Sequence, residues 1–477
     1  MAHCFHALDE IQLEEDSWDL TTRAQLALYQ DSEDVHEVLF KRRANRTEIS
    51  VCNRLVIETA QYSCVQDGGR SFSAAEHLTV LADVKLLLFL ANHREAIEGA
   101  FMKPEIVIAP NGELDVDEKF YIKVISQYFT RRGREASEQA AKEYIDRFSG
   151  KEKISKEDST KLDTALDEFD KIFLAEFGFD LRSLLEVLAQ LRQLAIFADM
   201  PGGEMNQELI MNYLLSCGLD SSEATAFLKC FTLPIRSGWD KDLPSTFKKY
   251  DVYPWRQRRQ LSLLFRPLVQ VKTVPPTWVI SVPLFEKYIE YWLNCIEFAH
   301  LPREFFRSKE MHDYIDRNVN KRGHEFVQDV LKVFKSAGNQ TAFEIELTQL
   351  GAPKKLGLGD LDVLAWKKNS KLVHAVECKR LLPATSVREI VQRLEDFGGN
   401  RKEMDSLGRH LRRIDWLRNN LASVSKFTGI PEKEIQLNPL LVTSEIMPME
   451  FYKEMNFPTS QVVSFNELAK RIFPVNK

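Results

Sequence analysis

Residues 357–381 read GLGDLDVLAWKKNSKLVHAVECKRL, and this stretch decides the fold of the last third of the chain. It contains two apolar runs, Leu358–Trp366 and Lys371–Lys379. Only the short polar segment Lys367–Ser370 separates them. Two such runs with a tight polar connection predict a pair of antiparallel β-strands joined as a hairpin.

The acidic residues of these strands follow the alternation of a half-buried sheet. Because successive side chains point to opposite faces, Asp360 and Asp362 share one face of the first strand, and Glu377 and Lys379 share one face of the second. If the strands pair, Asp362 lies opposite or diagonal to the pair Glu377 and Lys379. Two carboxylates and an ammonium group then meet at one place, and hard oxygen ligands of this kind suit Mg²⁺.

The elements around the hairpin predict a mixed sheet with helices on both faces. A helix before it ends near Gly338, where glycine is a natural C-terminal cap. The other predicted elements are a strand at 342–349, helices at 386–397 and 400–425, strands at 438–443 and 462–464, and a helix at 467–473.

The part of the chain before residue 310 has a different texture. Apolar residues at three- and four-residue spacing predict a largely helical region over 1–245. The segment 246–309 is predicted to be a connecting β-hairpin, with strands at 261–271 and 277–283, followed by a helix at 284–299. The expected fold class is therefore α+β or α/β, with a third segment, 310–477, carrying the mixed sheet.

Charge is unevenly distributed along the chain. The net charge is −6, yet residues 321–477 hold 25 Lys and Arg against 19 Asp and Glu, a balance of +6, which leaves −12 for residues 1–320. A basic third in an acidic chain suggests that this third meets a polyanion. No apolar run approaches the length of a membrane span, and the N-terminus lacks the layout of a signal peptide. A cytoplasmic protein without a membrane partner is expected.

Asp362 and the triplet Glu377-Cys378-Lys379 resemble the D…(D/E)xK signature of the PD-(D/E)XK nuclease superfamily, which includes restriction endonucleases. The resemblance covers residues 310–477 and implies an αβββαβ core. It implies that Asp362 and Glu377 bind Mg²⁺, for which Mn²⁺ can substitute, and that Lys379 acts in catalysis. The resemblance also assigns Glu325, on the first core helix, a place in the catalytic and metal site.

The sequence departs from the family pattern in places. Leu361 stands where many members have proline before the metal-binding acid. Asp360 competes with Asp362 and is kept as an accessory residue, since related nucleases use the second acid of a GDLD run. Gln392 is a second accessory candidate, because some relatives carry a glutamine on the helix after the lysine.

A basic stretch at residues 400–420 is predicted to contact nucleic acid. Its candidate residues are Arg401, Lys402, Arg409, Arg412 and Arg413. A solvated amphipathic helix, with its core face on Leu407, Leu411, Ile414 and Leu417, explains the same pattern equally well. His410 is expected at the surface of this helix rather than at a phosphate.

The resemblance implies a Mg²⁺-dependent endonuclease that hydrolyses phosphodiester bonds, with DNA as the expected substrate and restriction or anti-phage defence as the expected setting. The N-terminal region would serve sensing, homo-oligomerisation or binding of a protein partner. Two alternatives stay open. One is a non-enzymatic protein that binds nucleic acid or protein and keeps the nuclease fold. The other is a nuclease acting on RNA.

Overall fold

The structure is a computed structural model that describes most of the chain from residue 73 onward and short stretches before it. The described residues are 4, 7–8, 50–58, 60, 73–102, 106–108, 110, 114–116, 119–135, 156–198, 202–236, 247–253, 255–256, 258–301, 303–367, 369–398, 405–453 and 461–472. Along them, no helix is both long enough and apolar enough to cross a membrane.

The predicted α+β class is confirmed, with a helical N-terminal part and mixed sheets formed mainly further along the chain. The helices are α1 (Ala74–Glu98), α2 (Lys156–Phe177), α3 (Leu181–Ala198), α4 (Gln207–Ser216), α5 (Ser221–Phe231), α6 (Val282–Glu297), α7 (Lys309–Ser336), α8 (Val387–Asp396), α9 (Ser406–Asn419), α10 (Leu421–Thr428) and α11 (Phe465–Ile472). The strands are β1 (Ile106–Ile108), β2 (Leu114–Val116), β3 (Gly202–Asn206), β4 (Thr232–Leu233), β5 (Leu268–Thr273), β6 (Pro276–Ser281), β7 (Gln340–Glu346), β8 (Asp360–Trp366), β9 (Leu372–Lys379), β10 (Gln436–Thr443) and β11 (Val462–Ser464).

The chain divides into two compact units, each made of two stretches. Unit 1 comprises Met1–Ala91 and Gly133–Asn318, and unit 2 comprises Asn92–Arg132 and Val319–Lys477. The division differs from the predicted segments, because Asn92–Arg132 comes from the predicted helical region yet belongs to the unit of the C-terminal strands. The boundaries at 245 and 309 stay predictions.

Unit 1 contains a four-stranded sheet in the order β3-β6-β5-β4. The predicted hairpin is confirmed, since β5 and β6 pair antiparallel with Val269 opposite Val279. β3 adds antiparallel to β6, and β4 adds parallel to β5. Helices cover this sheet with an aromatic core whose fully buried members include Phe173, Phe179, Phe227, Phe231 and Phe285.

Unit 2 contains a five-stranded sheet in the order β11-β10-β9-β8-β7. β7, β8 and β9 form an antiparallel meander, whereas β10 lies parallel to both β9 and β11. The elements follow in the order αβββαβ from α7 onward, as predicted. A parallel strand next to β9 requires a crossover, which α8, α9 and α10 provide.

The two faces of the unit 2 sheet are buried by different helices. Val363 and Val376 pack with Phe326, Val330 and Phe334 of α7. On the other face, the core is formed with α9 and α10 by Leu364, Trp366, Val373, Ala375, Ile414, Leu417 and Val424. Burial on both faces explains why the central strands read as nearly continuous apolar runs.

The stretch Asn92–Arg132 contributes to the core of unit 2. Phe120, Val124 and Tyr128 pack with residues of α8 in one buried cluster. The Tyr128 hydroxyl donates a hydrogen bond of 3.0 Å to the carbonyl oxygen of Ala384, which lies 256 residues away in sequence. The core of unit 2 is therefore incomplete without the stretch Asn92–Arg132, which ends 177 residues before α7 begins at Lys309.

The single helix predicted over 400–425 is wrong in its extent. Two helices, α9 and α10, meet at Asn420, whose φ of −135° and ψ of 46° are not helical. The Asn420 side chain donates a hydrogen bond of 2.8 Å to the carbonyl oxygen of Trp416. Asparagine side chains compete in this way with helical hydrogen bonding, which accounts for the break.

Candidate active site

The hairpin of β8 and β9 brings Asp362 next to Glu377. Val363 pairs with Val376 in the antiparallel register. This register places Asp362 of β8 beside Glu377 of β9. Asp362 Oδ2 accepts a hydrogen bond of 2.6 Å from the backbone N–H of Cys378. Burial raises the pKa of Asp362 to about 6, and the negative charge of Glu377 adds to the rise. Two carboxylates thus lie close enough to repel each other.

Glu377 is the most enclosed acid of this group, with 3% of its surface exposed. Its Oε1 lies 2.7 Å from Lys379 Nζ, and its Oε2 lies 2.6 Å from Arg413 Nη1. Burial alone would raise the pKa of Glu377. His410, with its Nδ1 3.6 Å from Oε2, and the positive charges of Lys379 and Arg413 outweigh burial and hold this pKa well below its usual range. Glu377 is therefore an ionised, fixed carboxylate.

Lys379 is the most accessible member of the group, with its side chain 32% exposed. Burial would lower its pKa, but the charges of Glu377 and Asp362 outweigh burial and raise it. The side chain is therefore an ammonium group at neutral pH. In this state it can donate hydrogen bonds to a water or a phosphate oxygen, but it cannot accept a proton.

Helix α9 holds the other side of Glu377. Arg413 also donates from Nε to the carbonyl oxygen of Leu358, at 2.8 Å. Its neighbour Arg412 donates to the carbonyl oxygen of Leu356, at 3.3 Å. The two arginines therefore fasten the loop that leads into β8. Gly359 has a φ of +71°, and a Cβ there would lie 3.4 Å from Arg413 Nη2, so this loop closely approaches the guanidinium group.

The donor set suits a magnesium ion in part. No group of three or more His, Cys, Asp or Glu that could hold a metal is found among the residues that the structure describes. Mg²⁺, however, is usually held by one or two carboxylates, with water and substrate phosphate as further ligands. Burial, and after it the charge of Glu377, raises the pKa of Asp362, and a bound divalent cation would favour its ionised form. Asp362 and Glu377 therefore fit as the protein ligands of such an ion.

Comparison with protein families gives a match over nearly the whole chain rather than over this site alone. The model of one family, described as Upx-like: Anti-phage protein Upx-like, matches residues 3–468. The chain belongs to the Upx-like family. The comparisons with curated proteins and with solved structures found no match. Membership supports the predicted role in defence against phage, and it spans both units of the chain.

Two predicted site residues of this Upx-like chain lie apart from the group around Glu377. The Glu325 side chain is 58% exposed, with Lys321 Nζ 4.0 Å away. Its helix, α7, packs on the opposite face of the sheet from Ala375 and α9. Gln392 is exposed on α8, between Arg388 and Asp396, and hydrogen-bonds to both. Among the described residues, neither forms a hydrogen bond or ion pair with Asp362, Glu377 or Lys379.

Asp360 lies at the start of β8, half-buried and opposite Glu346 of β7. Among the groups that shift the pKa of Asp362, it has the smallest effect. The hydrogen bond from the Cys378 backbone goes to Asp362 instead. The hairpin therefore joins Asp362, rather than Asp360, to Glu377.

The basic residues predicted to bind nucleic acid occupy different environments. Arg401 and Lys402 lie outside the described residues. Arg409 is exposed on α9, and Arg412 is half-buried against the loop before β8. Arg413 is 12% exposed and directed at Glu377. Among the described candidates, Arg409 has an exposed side chain, whereas Arg412 and Arg413 contact the loop before β8 and Glu377.

The expectation that His410 lies at the surface is wrong. Its side chain is fully buried, and its Nδ1 lies 3.6 Å from Glu377 Oε2. The sequence held a signal for this position, since residues 410, 414 and 417 follow the apolar spacing of one helix face. Arg413 lies one turn beyond His410, so both reach the same carboxylate.

Proposed function

We propose that this Upx-like protein is a metal-dependent nuclease that hydrolyses phosphodiester bonds, with DNA as its substrate, as part of defence against phage. One observation carries the proposal: the hairpin of β8 and β9 joins Asp362, Glu377 and Lys379 in one group. The strand order around it agrees with the αβββαβ core implied by the resemblance to the PD-(D/E)XK superfamily.

Asp362 and Glu377 would hold a Mg²⁺ ion, for which Mn²⁺ can substitute. Such an ion, when bound, lowers the pKa of a water ligand and stabilises charge on the scissile phosphate. Lys379, as an ammonium group, orients the attacking water and donates to the phosphate oxygen as negative charge grows. Glu325 has no described contact with this group, so the proposal relies on the two carboxylates of the hairpin.

The partner of the site is proposed to be a nucleic acid, because the polyanion expected from the basic C-terminal third would meet cationic groups here. Lys354 and Lys355 are exposed in the loop that Arg412 fastens. Phosphate contacts from such side chains would position the backbone without reading its sequence. We place the activity in the cytoplasm, and we propose that the N-terminal region serves sensing, homo-oligomerisation or a protein partner.

A cleavage assay on the full chain tests the proposal. Supercoiled plasmid, linear duplex, single-stranded DNA and RNA are incubated with Mg²⁺, Mn²⁺ or EDTA. Cleavage is expected only with metal, and the substrate that is cut decides between DNA and RNA. Asp362→Asn and Lys379→Met are each expected to reduce the rate by about a thousandfold or more. Asp360→Asn is the matched control on the same strand and should stay within about tenfold of wild type.

One observation favours an alternative, a non-enzymatic protein that keeps this fold. Both oxygens of Glu377 already have cationic partners, Lys379 and Arg413, so the carboxylate is satisfied without a metal. Protection against phage decides between the two. The nuclease proposal expects plaque counts on bacteria producing Asp362→Asn to match those on bacteria without the protein. Full protection by Asp362→Asn, at wild-type protein levels, would favour the alternative.

A further inference from the structure

The strongest unexplained feature of the site is the cation that contacts Glu377 from α9. Arg413 Nη1 lies 2.6 Å from Glu377 Oε2, and the side chain is 12% exposed. Its Nε is tied to the carbonyl oxygen of Leu358. A guanidinium group held at two points and largely excluded from water is a built contact rather than a chance surface ion pair.

This contact leaves no oxygen of Glu377 without a cationic partner. Oε1 is taken by Lys379 and Oε2 by Arg413. A metal ion that binds Glu377 must therefore displace one of these two groups or share an oxygen with it. Lys379 belongs to the proposed catalytic group, so the competing cation is Arg413, whose Nε bond to the carbonyl oxygen of Leu358 keeps it beside Glu377.

The charges at the site lead to the same conclusion. The carboxylates of Asp362 and Glu377 are matched by the cations of Lys379 and Arg413, so the group is nearly balanced without a metal. A divalent cation added to it would leave an excess of positive charge in a poorly solvated place. Each phosphate that arrives with a nucleic acid brings a negative charge, which offsets that excess and gives the arginine another partner.

We propose that Arg413 competes with the metal ion for Glu377, so that metal binding is weak in the free protein and is strengthened when a nucleic-acid phosphate enters the site. The inference rests on the proposed metal site. Arg413 is then a positioning residue that couples metal loading to the presence of substrate, which would limit idle metal binding and off-target hydrolysis in the cell.

Binding of Mn²⁺, followed by electron paramagnetic resonance on the full chain, tests the inference without relying on activity. The probe is a DNA duplex with phosphorothioate linkages, which resist hydrolysis. Wild type is expected to bind Mn²⁺ at least about tenfold more tightly with the duplex than without it. Asp362→Asn with the same duplex measures the Mn²⁺ that binds to DNA alone and is subtracted.

Arg413→Gln is the decisive variant, because it removes the charge and keeps a polar side chain. It is expected to bind Mn²⁺ without DNA at least about tenfold more tightly than wild type, and to gain less than about threefold from the duplex. Arg418→Gln is the matched control, since it removes the same charge from the same helix but is exposed and lies 3.9 Å from Asp415. Its Mn²⁺ affinity should stay within about threefold of wild type.

The outcomes separate this inference from the proposed function. Asp362-dependent Mn²⁺ binding that Arg413→Gln leaves unchanged or weakens would overturn the role of Arg413 and leave the metal site standing. An absence of Asp362-dependent binding in both proteins, with and without duplex, would overturn both proposals. If Arg413→Gln does not fold, the test relies on the wild-type protein, because Arg413→Lys keeps the charge. Equal Mn²⁺ affinity of the wild type with and without the duplex would contradict the coupling.

Discussion

Each unit of the molecule contains a buried glutamate paired with an arginine, and the two pairs differ in which groups adjoin them. In unit 1, Glu58 and Arg259 are 0% and 1% exposed. Arg259 bonds to Glu58 and to the carbonyl oxygens of Arg256 and Leu261, and the second oxygen of Glu58 accepts the N–H of Leu263 at 2.8 Å. This pair is closed on all sides.

The pair in unit 2 is open on one side. Glu377 and Arg413 are 4% and 12% exposed, and a second carboxylate and a partly exposed lysine adjoin them. Burial of an ion pair is therefore not enough to indicate an active site, because the pair in unit 1 is more deeply buried and its groups bond to each other and to the backbone. The distinguishing feature is the extra acid, Asp362, whose pKa is raised by burial and by the negative charge of Glu377.

The largest change in the free energy of unfolding is expected from the closed pair of unit 1. Arg259→Met leaves Glu58 charged, buried and without its cation, which should lower the free energy of unfolding of unit 1 by about 3–5 kcal/mol. Urea unfolding, followed by circular dichroism and tryptophan fluorescence, measures it. The double variant Glu58→Gln with Arg259→Met should recover part of the loss. A loss under about 1 kcal/mol would mean that the pair is not closed.

A smaller effect of opposite sign is expected from the open pair. The pKa of Asp362 is raised in the folded protein, so its proton stabilises the fold at low pH, and this stability is lost as the pH rises through about 6. Asp362→Asn cannot ionise and can still accept the Cys378 N–H. At pH 8 and without metal, it should be more stable than wild type by about 2–3 kcal/mol.

Unfolding in urea at pH 4 and at pH 8 measures this difference. The gain of Asp362→Asn over wild type should be small at the lower pH, where Asp362 is largely protonated in the fold. Asp360→Asn is the control, because Asp360 has little effect on the pKa of Asp362. If wild type is more stable than Asp362→Asn at pH 8, the charge of Asp362 is compensated by its surroundings, as that of Glu58 is.

The smallest effect is expected from a closed contact inside unit 2. Tyr128→Phe removes the hydroxyl that donates to Ala384, while Arg132 still donates to the same oxygen at 2.9 Å. The free energy of unfolding should fall by about 0.5–1.5 kcal/mol, and Mn²⁺ binding should be unchanged. Tyr250→Phe, at an exposed contact with Glu304 in unit 1, is the control. A change in Mn²⁺ affinity would show that this contact is linked to the site.

Local patterns in the sequence were enough to place most elements of unit 2. The alternation in residues 357–381 gave the hairpin and the shared faces of its acids, and the strand at Val462–Ser464 matches its predicted bounds. These features depend on residues that are close together in sequence, and the periodicity of apolar residues reflects the same short-range relations. The same holds for the hairpin of β5 and β6 in unit 1.

The sequence could not show what depends on distant contacts. Nothing in the sequence of Asn92–Arg132 indicates that Tyr128 bonds to Ala384. A helical pattern predicts which face of the helix is apolar, but not which residues pack against that face. Arg413 looked like one of several arginines for phosphate contact. Its direction toward Glu377 follows from the packing of α9 on the site's face of the sheet, which only the three-dimensional fold reveals.

We propose that Asp362 and Glu377 bind a metal ion that also contacts a nucleic-acid phosphate. Crystals of the full chain, grown with Mn²⁺ and a phosphorothioate duplex, test it most directly through the anomalous signal of manganese. We expect a peak about 2.0–2.2 Å from oxygens of both carboxylates and next to a backbone phosphate. Bound duplex with no peak at these two carboxylates, and with Arg413 still on Glu377, would contradict it.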